Sequence, residues 1–585
     1  MSPLRDEPIT IFTNTSYDVH MIQDYISRAS ASVPIRYSAF IACIFFSLLG
    51  LFCLIAFGVG WLWTLIFIAL SALGIRDLRQ DRHAILRNYP VIGHVRFLME
   101  YIRPEIRQYF LEADHEAAPF SRAQRSLVYA RAKGDSDKRP FGTQLDVSAD
   151  GYEWINHSVA PTKIASQDFR ITIGSKLNTC SQPYSASVFN ISAMSFGALS
   201  ANAILALNQG AKTGGFAHDT GEGSISIHHR QHGGDLIWEI GSGYFGCRND
   251  DGSFNAEKFQ ANARDSQVKM IELKLSQGAK PGHGGLLPGS KVTIEIAQAR
   301  GVQEGVDCVS PASHGAFSTP LEMMAFIAQL RELSGGKPVG FKLCIGHPWE
   351  WFAIVKAMLA TNIVPDFIVV DGAEGGTGAA PVEFTDHVGA PLQEGLLLVH
   401  NTLKGAGLRD RVRIGCAGKV VSAFDMARMM ALGADWCNSA RGFMFALGCI
   451  QAQSCHTGHC PTGVTTQDAH RMKALHVPSK AERVHHFHEQ TLHALQEIVQ
   501  AAGLHHPGEI TAHHIVRRVN DNEVRLLANL VPQVLAGSLL REDISETHNV
   551  FRMYWPRSSE QQFALLPTQA GGFLRRNSEA ANLPA

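Results

Sequence analysis

Basic charge is in no excess in this chain: Lys and Arg number 52 against 53 Asp and Glu, a formal net charge of -1 over 585 residues. Without a global positive field to hold a phosphate backbone, nucleic acid is excluded as a partner. Disorder is excluded too, because 45% hydrophobic and 18% charged residues is a globular balance. The length implies a sizeable core with accessory segments. No convincing dinucleotide fingerprint is present. Gly241-Ser242-Gly243-Tyr244-Phe245-Gly246 fits G-x-G-x-x-G, but Cys247-Arg248-Asn249-Asp250-Asp251-Gly252 follows it. That stretch reads as a turn, with no helix to aim its N-terminus at a pyrophosphate. The eleven cysteines are scattered and mostly isolated in apolar segments, so no disulfide framework is expected in a cytoplasmic domain.

Charge is missing altogether from Tyr37 to Ile75. One bilayer crossing needs roughly 20 apolar residues, so this run is too long for one span and suits two. Gly58 and Gly60 lie near its middle, before Trp61, where a tight turn and an interfacial aromatic belong. Arg28 and Arg36 precede the run, and Arg76, Arg79, Arg82 and Arg87 follow it. Basic flanks on both sides predict a multi-pass hairpin in the cytoplasmic (inner) membrane, with both ends and the catalytic part facing the cytoplasm. A cleaved signal sequence would have an apolar core of only about 7–15 residues.

The expected organisation is a cytoplasmic tail at 1–33, two transmembrane helices at 34–76, a helical connector at 77–150, a barrel at 151–515 and a C-terminal extension at 516–585. Amphipathic helix is expected over 77–118. From about 166 to 475, short apolar runs alternate with helical stretches; they include Val188-Phe189-Asn190-Ile191, Met270-Ile271-Glu272-Leu273-Lys274, Val339-Gly340-Phe341-Lys342-Leu343, Phe367-Ile368-Val369-Val370 and Val412-Arg413-Ile414-Gly415. Continuous apolar strands followed by helices mean parallel βα units, and over this length they predict an α/β fold, a (β/α)8 TIM-type barrel. Helix is expected again over 481–502 and 522–536. The histidines there, including His485, His486, His488 and His493, read as a solvated helical face, since no cysteine or carboxylate set converges with them.

In a βα barrel the chemistry sits in the loops after the strands. Those loops contain Ser192–Ser200, Thr220-Gly221-Glu222-Gly223, Gln277–Gly285, Asp371–Gly378, Cys416-Ala417-Gly418-Lys419 and Asn438-Ser439-Ala440-Arg441-Gly442. In order they outline a planar, phosphate-bearing cofactor, with Lys280 or Lys342 able to place positive charge near a reduced ring. Cys449, Cys455 and Cys460 put three thiols within twelve residues, and the last precedes Pro461. Three cysteines with no fourth nearby suit a three-iron cluster, a zinc site completed by His456 or His459, or inert buried thiols.

The series ISAMSFGALS, TGEGS, QGAKPGHGGLLPG, VSPASH, DGAEGGTGAAP and GCIQAQSCHTGHCPTGVTTQD resembles, in order, the flavin-binding synthase domain of glutamate synthases, from about residue 120 to 515. The chain is similar to the stand-alone, membrane-attached FMN-binding members. The resemblance implies FMN over Ala193, Met194 and Ser195, with Gln277 and Lys342 beside it and Gly376, Gly418, Ser439 and Arg441 toward its phosphate. It implies a [3Fe-4S] cluster on Cys449, Cys455 and Cys460. Glu222 and Lys280 match catalytic positions, while Gln277, Lys280 and Arg300 match positions facing 2-oxoglutarate or its imine. The implied reaction reduces that imine to L-glutamate.

Three departures bear on substrate and cofactor. His283 stands where the family motif is acidic, Leu286 where it has Gln, and Cys416-Ala417 where it has Asp-Gly. The glutaminase of complete glutamate synthases begins with a nucleophilic cysteine, whereas this chain begins Met1-Ser2-Pro3 and has no cysteine before Cys43. Ammonia is therefore expected from solution or a separate glutaminase subunit, and electrons from a donor protein. The rival expectations are a flavin oxidoreductase acting on another C–N bond and a non-catalytic electron-relay or docking subunit at the membrane.

Overall fold

A computed structural model describes residues 35–115 and 118–567, which fall into two compact units divided between Ala113 and Asp114. In the first unit the charge-free run folds as two helices, Ser38–Phe57 and Trp61–Arg79, joined by Gly58 and Gly60 in left-handed conformation. Each is long and apolar enough to cross a membrane. Small residues bring them together: a Cβ on Gly74 would lie within the Phe40 ring, one on Gly50 would meet Thr64 Oγ1, and Ser47 and Ser71 bond at 3.0 Å. Most of the remaining side chains, among them Phe45, Phe52, Ile55 and Leu65, are exposed. The expected amphipathic stretch after residue 77 is broken. Helix Trp61–Arg79 ends at Gln80, and Ala84–Asn88 and Gly93–Ile106 follow separately. Buried Asp77 ties the break by accepting from Val91 N and bonding His94 Nε2, both at 2.9 Å.

The second unit is built on eight parallel strands that close in sequence order into a barrel. They are β1 (Phe189–Ile191), β2 (His218–Asp219), β3 (Leu236–Ile240), β4 (Val268–Lys274), β5 (Val339–Leu343), β6 (Phe367–Asp371), β7 (Arg413–Ala417) and β8 (Trp436–Ser439). Helices on the outside and side chains within bury these strands on both faces, which explains their continuous apolar character. Side-chain caps start the helices where the sequence supplies them: Ser200 for Ala201–Gly214, Thr319 for Pro320–Leu333 and Ser422 for Ala423–Ala431. Gly241–Gly246 forms turns, and the next helix does not begin until Ala256.

The long helix Val477–Ala501 packs on Ala201–Gly214, where a Cβ on Gly210 would come within 2.5 Å of Val484 Cγ1. His488 is not on a solvated face. It stacks on Phe216 with ring centroids 3.9 Å apart and bonds Ser187 Oγ at 3.0 Å, and burial lowers its pKa to about 3, so it is neutral. The segment expected to be helical at 522–536 holds strand Glu523–Leu526 instead, paired antiparallel with Ile515–Asn520, which pairs with Glu153–Ile155. Asn520-Asp521-Asn522 supplies turn chemistry, and charged and apolar residues alternate from Glu523 to Leu526. The strand Ile515–Asn520 thus runs across the boundary expected at 515/516.

Candidate functional site

Charges placed inside apolar strands meet at the C-terminal end of the barrel. Glu239 on β3 and Glu272 on β4 are register partners, and Lys342 on β5 pairs with both, contacting Glu272 Oε1 at 3.4 Å. Asp219 on β2 joins them, its carboxylate oxygen lying within 4.8 Å of one on each glutamate. All four residues are at most 4% exposed. Lys342 stays protonated: burial works against its charge, but Glu239 and Glu272 outweigh that and raise its pKa. Asp371, at the end of β6, accepts from Gly278 N at 2.8 Å.

The next level up is cationic. Lys274, two residues beyond Glu272 and so on the same strand face, pairs with Glu222 at 3.0 Å and donates to Gln277 Oε1 at 3.3 Å. Burial alone would raise the Glu222 pKa, yet Lys274 first, then Arg300 and Lys280, hold it below the ordinary carboxylate value. Lys280 is 3% exposed and donates to Gly284 O at 2.8 Å, and burial lowers its pKa. Arg300 donates to Phe196 O at 3.2 Å and lies over the Phe245 ring, while its buried Nε has no hydrogen-bond partner among the described residues. Glu222, Gln277 and Lys280 are therefore gathered around Lys274, and Arg300 joins them electrostatically from beneath the β1 loop. Sequence reasoning had not assigned roles to Lys274, Asp219, Glu239 or Glu272. The available signal was an ionisable residue at an inward position of an otherwise apolar strand.

The loop after β1, holding Ala193, Met194 and Ser195, is locked to its neighbours. A Cβ on Gly221 would come within 2.7 Å of Ser195 N, and Gln467 Nε2 donates to Gly197 O and Leu199 O at 3.0 Å each. Across the barrel mouth, Arg441 Nη2 donates to Gly376 O at 2.9 Å. Ser439 is buried and turned toward its own scaffold, its Oγ donating to Val420 O at 2.6 Å and its carbonyl accepting from Ser192 N. Gly418 sits against Leu392, near the Glu374 carboxylate that accepts from Leu392 N. The space beside Gly376 is open. Arg441 and exposed Lys419 bring positive charge to this rim. Small residues that allow close approach, with cations at one end, fit a flat anionic cofactor.

Cys449, Cys455 and Cys460 line one pocket with Met444, Pro461 and Thr465. Tetrahedral zinc at about 2.3 Å from each sulfur holds the sulfurs roughly 3.8 Å apart. Among the described residues, the one set of three potential ligands gathered within 4.8 Å is Asp219, Glu239 and Glu272, not these thiols. Burial opposes ionisation of Cys460, but hydrogen bonds from Thr462 and Thr465 bring its pKa down to about 7, toward the thiolate a metal requires. Lys291 Nζ donates to His456 O at 3.0 Å, and a Cβ on Gly378 would meet His456 N at 3.0 Å, so the loop after β6 packs directly on the cysteine loop.

Residues 156–505 match the family model described as the conserved region in glutamate synthase. The chain belongs to the glutamate synthase family. It is 37% identical over 522 residues to the glutamate synthase large subunit-like protein YerD of Bacillus subtilis, covering 83% of this chain and 99% of that one. It is 36% identical to the archaeal glutamate synthase [NADPH] of Methanocaldococcus jannaschii over 54% of this chain, and spans 58% of that relative's length. A solved flavocytochrome b2 variant with pyruvate bound aligns over 77% of this chain and 90% of its own, at 12% identity and a TM-score of 0.37. The protein is an oxidoreductase of the glutamate synthase type.

The departures from the family pattern lie in two places. His283 is exposed, edge-on to Phe384 with centroids 5.2 Å apart, and Leu286, also exposed, pairs across strands with Val309. Cys416 is fully buried with its sulfur 3.6 Å from Cys437 Sγ, and all eleven cysteines are free thiols.

Proposed function

We propose that the protein binds FMN and a [3Fe-4S] cluster and reduces the imine formed from 2-oxoglutarate and ammonia to L-glutamate. The observation that carries this reading is a half-buried carboxylate, Glu222, held ionised among Lys274, Lys280 and Arg300 beside the β1 loop. Cations in excess of the one carboxylate suit a dicarboxylate substrate, and a guanidinium adds directional pairing. Bound FMN would supply hydride to the imine carbon. The chain's own residues do the rest: Lys280 and Arg300 orient the carboxylates, and Glu222 and Gln277 accept hydrogen bonds from the nitrogen. Ala193, Met194 and Ser195 would seat the ring, with Lys342 below it and Arg441, Gly376, Gly418 and Ser439 forming the phosphate end. Cys449, Cys455 and Cys460 would hold the cluster. Their loop bonds the β1 loop through Ser200 Oγ to Gly463 O at 2.7 Å, a short path for electrons from a donor protein. Ammonia comes from solution or a separate glutaminase, and helices Ser38–Phe57 and Trp61–Arg79 anchor the protein in the cytoplasmic membrane with the barrel in the cytoplasm.

Exposed His283 and Leu286, in place of hydrogen-bonding groups at the pocket edge, favour a second reading in which the same chemistry acts on another keto acid or amine. Purified, flavin-loaded protein reduced with dithionite is expected to form glutamate from 2-oxoglutarate and ammonium. Turnover of a different keto acid, with no glutamate formed, would select the second reading. Flavin that reduces normally but is indifferent to every keto acid would overturn both.

A further inference from the structure

The barrel floor holds more carboxylates than its cation can balance. Glu239 and Glu272 face each other directly on neighbouring strands, where like charges repel. Lys342 takes up Glu239, but Glu272 is left fully buried with neither oxygen receiving a hydrogen bond from any described group. Its nearest cation contact is the 3.4 Å approach of Lys342. A carboxyl oxygen of Asp219 lies within 4.8 Å of one on Glu272, and Asp219 Oδ1 accepts from Gly221 N at 3.0 Å. Two facing carboxylates make a hydrogen bond only when one is protonated. A metal ion is a poor occupant because Lys342 already occupies the cationic position of this cluster.

The register defines what else faces the pair. β3 brings Glu239, β4 brings Glu272 with Lys274 above it, β5 brings Lys342, and β6 brings Asp371. At the Asp371 level, β7, β8 and β1 contribute Ala417, Asn438 and Asn190, none of them ionisable. Asp371 is influenced by both Lys342 and Lys274, so the floor and the cationic level above it interact electrostatically.

We propose that Asp219 and Glu272 form a proton-binding pair that shares one proton at neutral pH, and that losing this proton as pH rises weakens dicarboxylate binding at the lysines above. The second half rests on the proposed substrate class; the first does not. Burial, followed by Glu239, moves Asp219 from 3.8 to about 7, and Glu272 is raised well above its ordinary value by burial and then by Asp219. Asp219 therefore titrates near neutrality, and Glu272 holds its proton well above the ordinary carboxylate range. The lost proton leaves one more negative charge beneath Lys274 and Lys280.

Calorimetric titration of the purified full-length protein with 2-oxoglutarate between pH 6 and 9 is the test. The wild type is expected to lose affinity by about tenfold, corresponding to about 1.4 kcal/mol. Glu272→Gln, whose amide mimics the protonated acid, is expected to bind with a flat profile. A wild-type profile that is already flat, or a Glu272→Gln profile that follows a sloping wild type, overturns the proposal. Infrared difference spectroscopy tests the pair without any substrate. A protonated buried carboxyl band that bleaches as pH rises and is missing from Glu272→Gln supports the pair; its absence from the wild type overturns it. Failure to bind 2-oxoglutarate with that band present refutes the substrate reading and leaves the pair standing. If Glu272→Gln does not fold, Asp219→Asn serves in both measurements with the same expected outcomes.

Discussion

Replacing Lys274 by methionine leaves the half-buried Glu222 carboxylate without its nearest cation, 3.0 Å away in the native protein. Breaking one side of a partly buried ion pair costs on the order of 2 kcal/mol, between the exposed and the fully buried cases, because the remaining charge is left unbalanced. Lys274→Met is expected to melt several degrees lower and to bind 2-oxoglutarate at least tenfold more weakly. Adding Glu222→Gln removes the stranded charge, so the double variant is expected to recover much of the stability and none of the affinity. Thermal unfolding and calorimetry on the four proteins read both effects. At the cysteines the effect is on metal content. Cys455→Ser exchanges a sulfur ligand for a hydroxyl, and iron per chain is expected to fall to background while the barrel keeps its circular dichroism. Unchanged iron content would remove Cys455 from the ligand set.

At the scale of elements, the site depends on loops that touch without side chains between them. A Cβ on Gly278 would lie 1.8 Å from Gly372 O, so the loops after β4 and β6 meet backbone to backbone there. Gly278→Ala must push them apart at a cost of about 1–3 kcal/mol. It also disturbs the Gly278 N to Asp371 hydrogen bond at 2.8 Å. A lowered melting temperature with loss of bound flavin is the expected result, and retention of both would show the loops free to separate. The strands that were legible in the sequence are those buried on both faces and mostly apolar, such as Val339–Leu343 and Phe367–Asp371. β2 was not legible, since His218 and Asp219 are polar and the strand has only two residues. Its burial comes wholly from tertiary closure of the barrel. The strand Glu523–Leu526 was misread as helix because a short alternation beside apolar residues also satisfies a helical period. In the site, the glycine-rich loops and the three cysteines announced themselves by composition. The Asp219, Glu239 and Glu272 group did not, because each acid sits alone in its own strand and only barrel closure brings the three together.

For the whole molecule, the question is what covers the apolar faces of the two N-terminal helices. The helices Ser38–Phe57 and Trp61–Arg79 expose Phe45, Phe52, Ile55, Leu65 and their neighbours to whatever surrounds them. In water that area would drive aggregation, whereas in a bilayer it is matched by hydrocarbon. The backbone of each helix is internally satisfied, and the polar contact between them, Ser47 with Ser71, and the bond from Thr64 Oγ1 back to Gly60 O within the second helix are of the kind tolerated within lipid. The full chain is therefore expected to remain in the membrane fraction through an alkaline carbonate wash. A variant lacking residues 38–79 is expected in the soluble fraction with its flavin and iron retained, because the barrel unit has its own core. Release of the full chain by carbonate would overturn the anchor. Soluble but cofactor-free truncated protein would instead mean that the barrel needs the removed segment to load its cofactors.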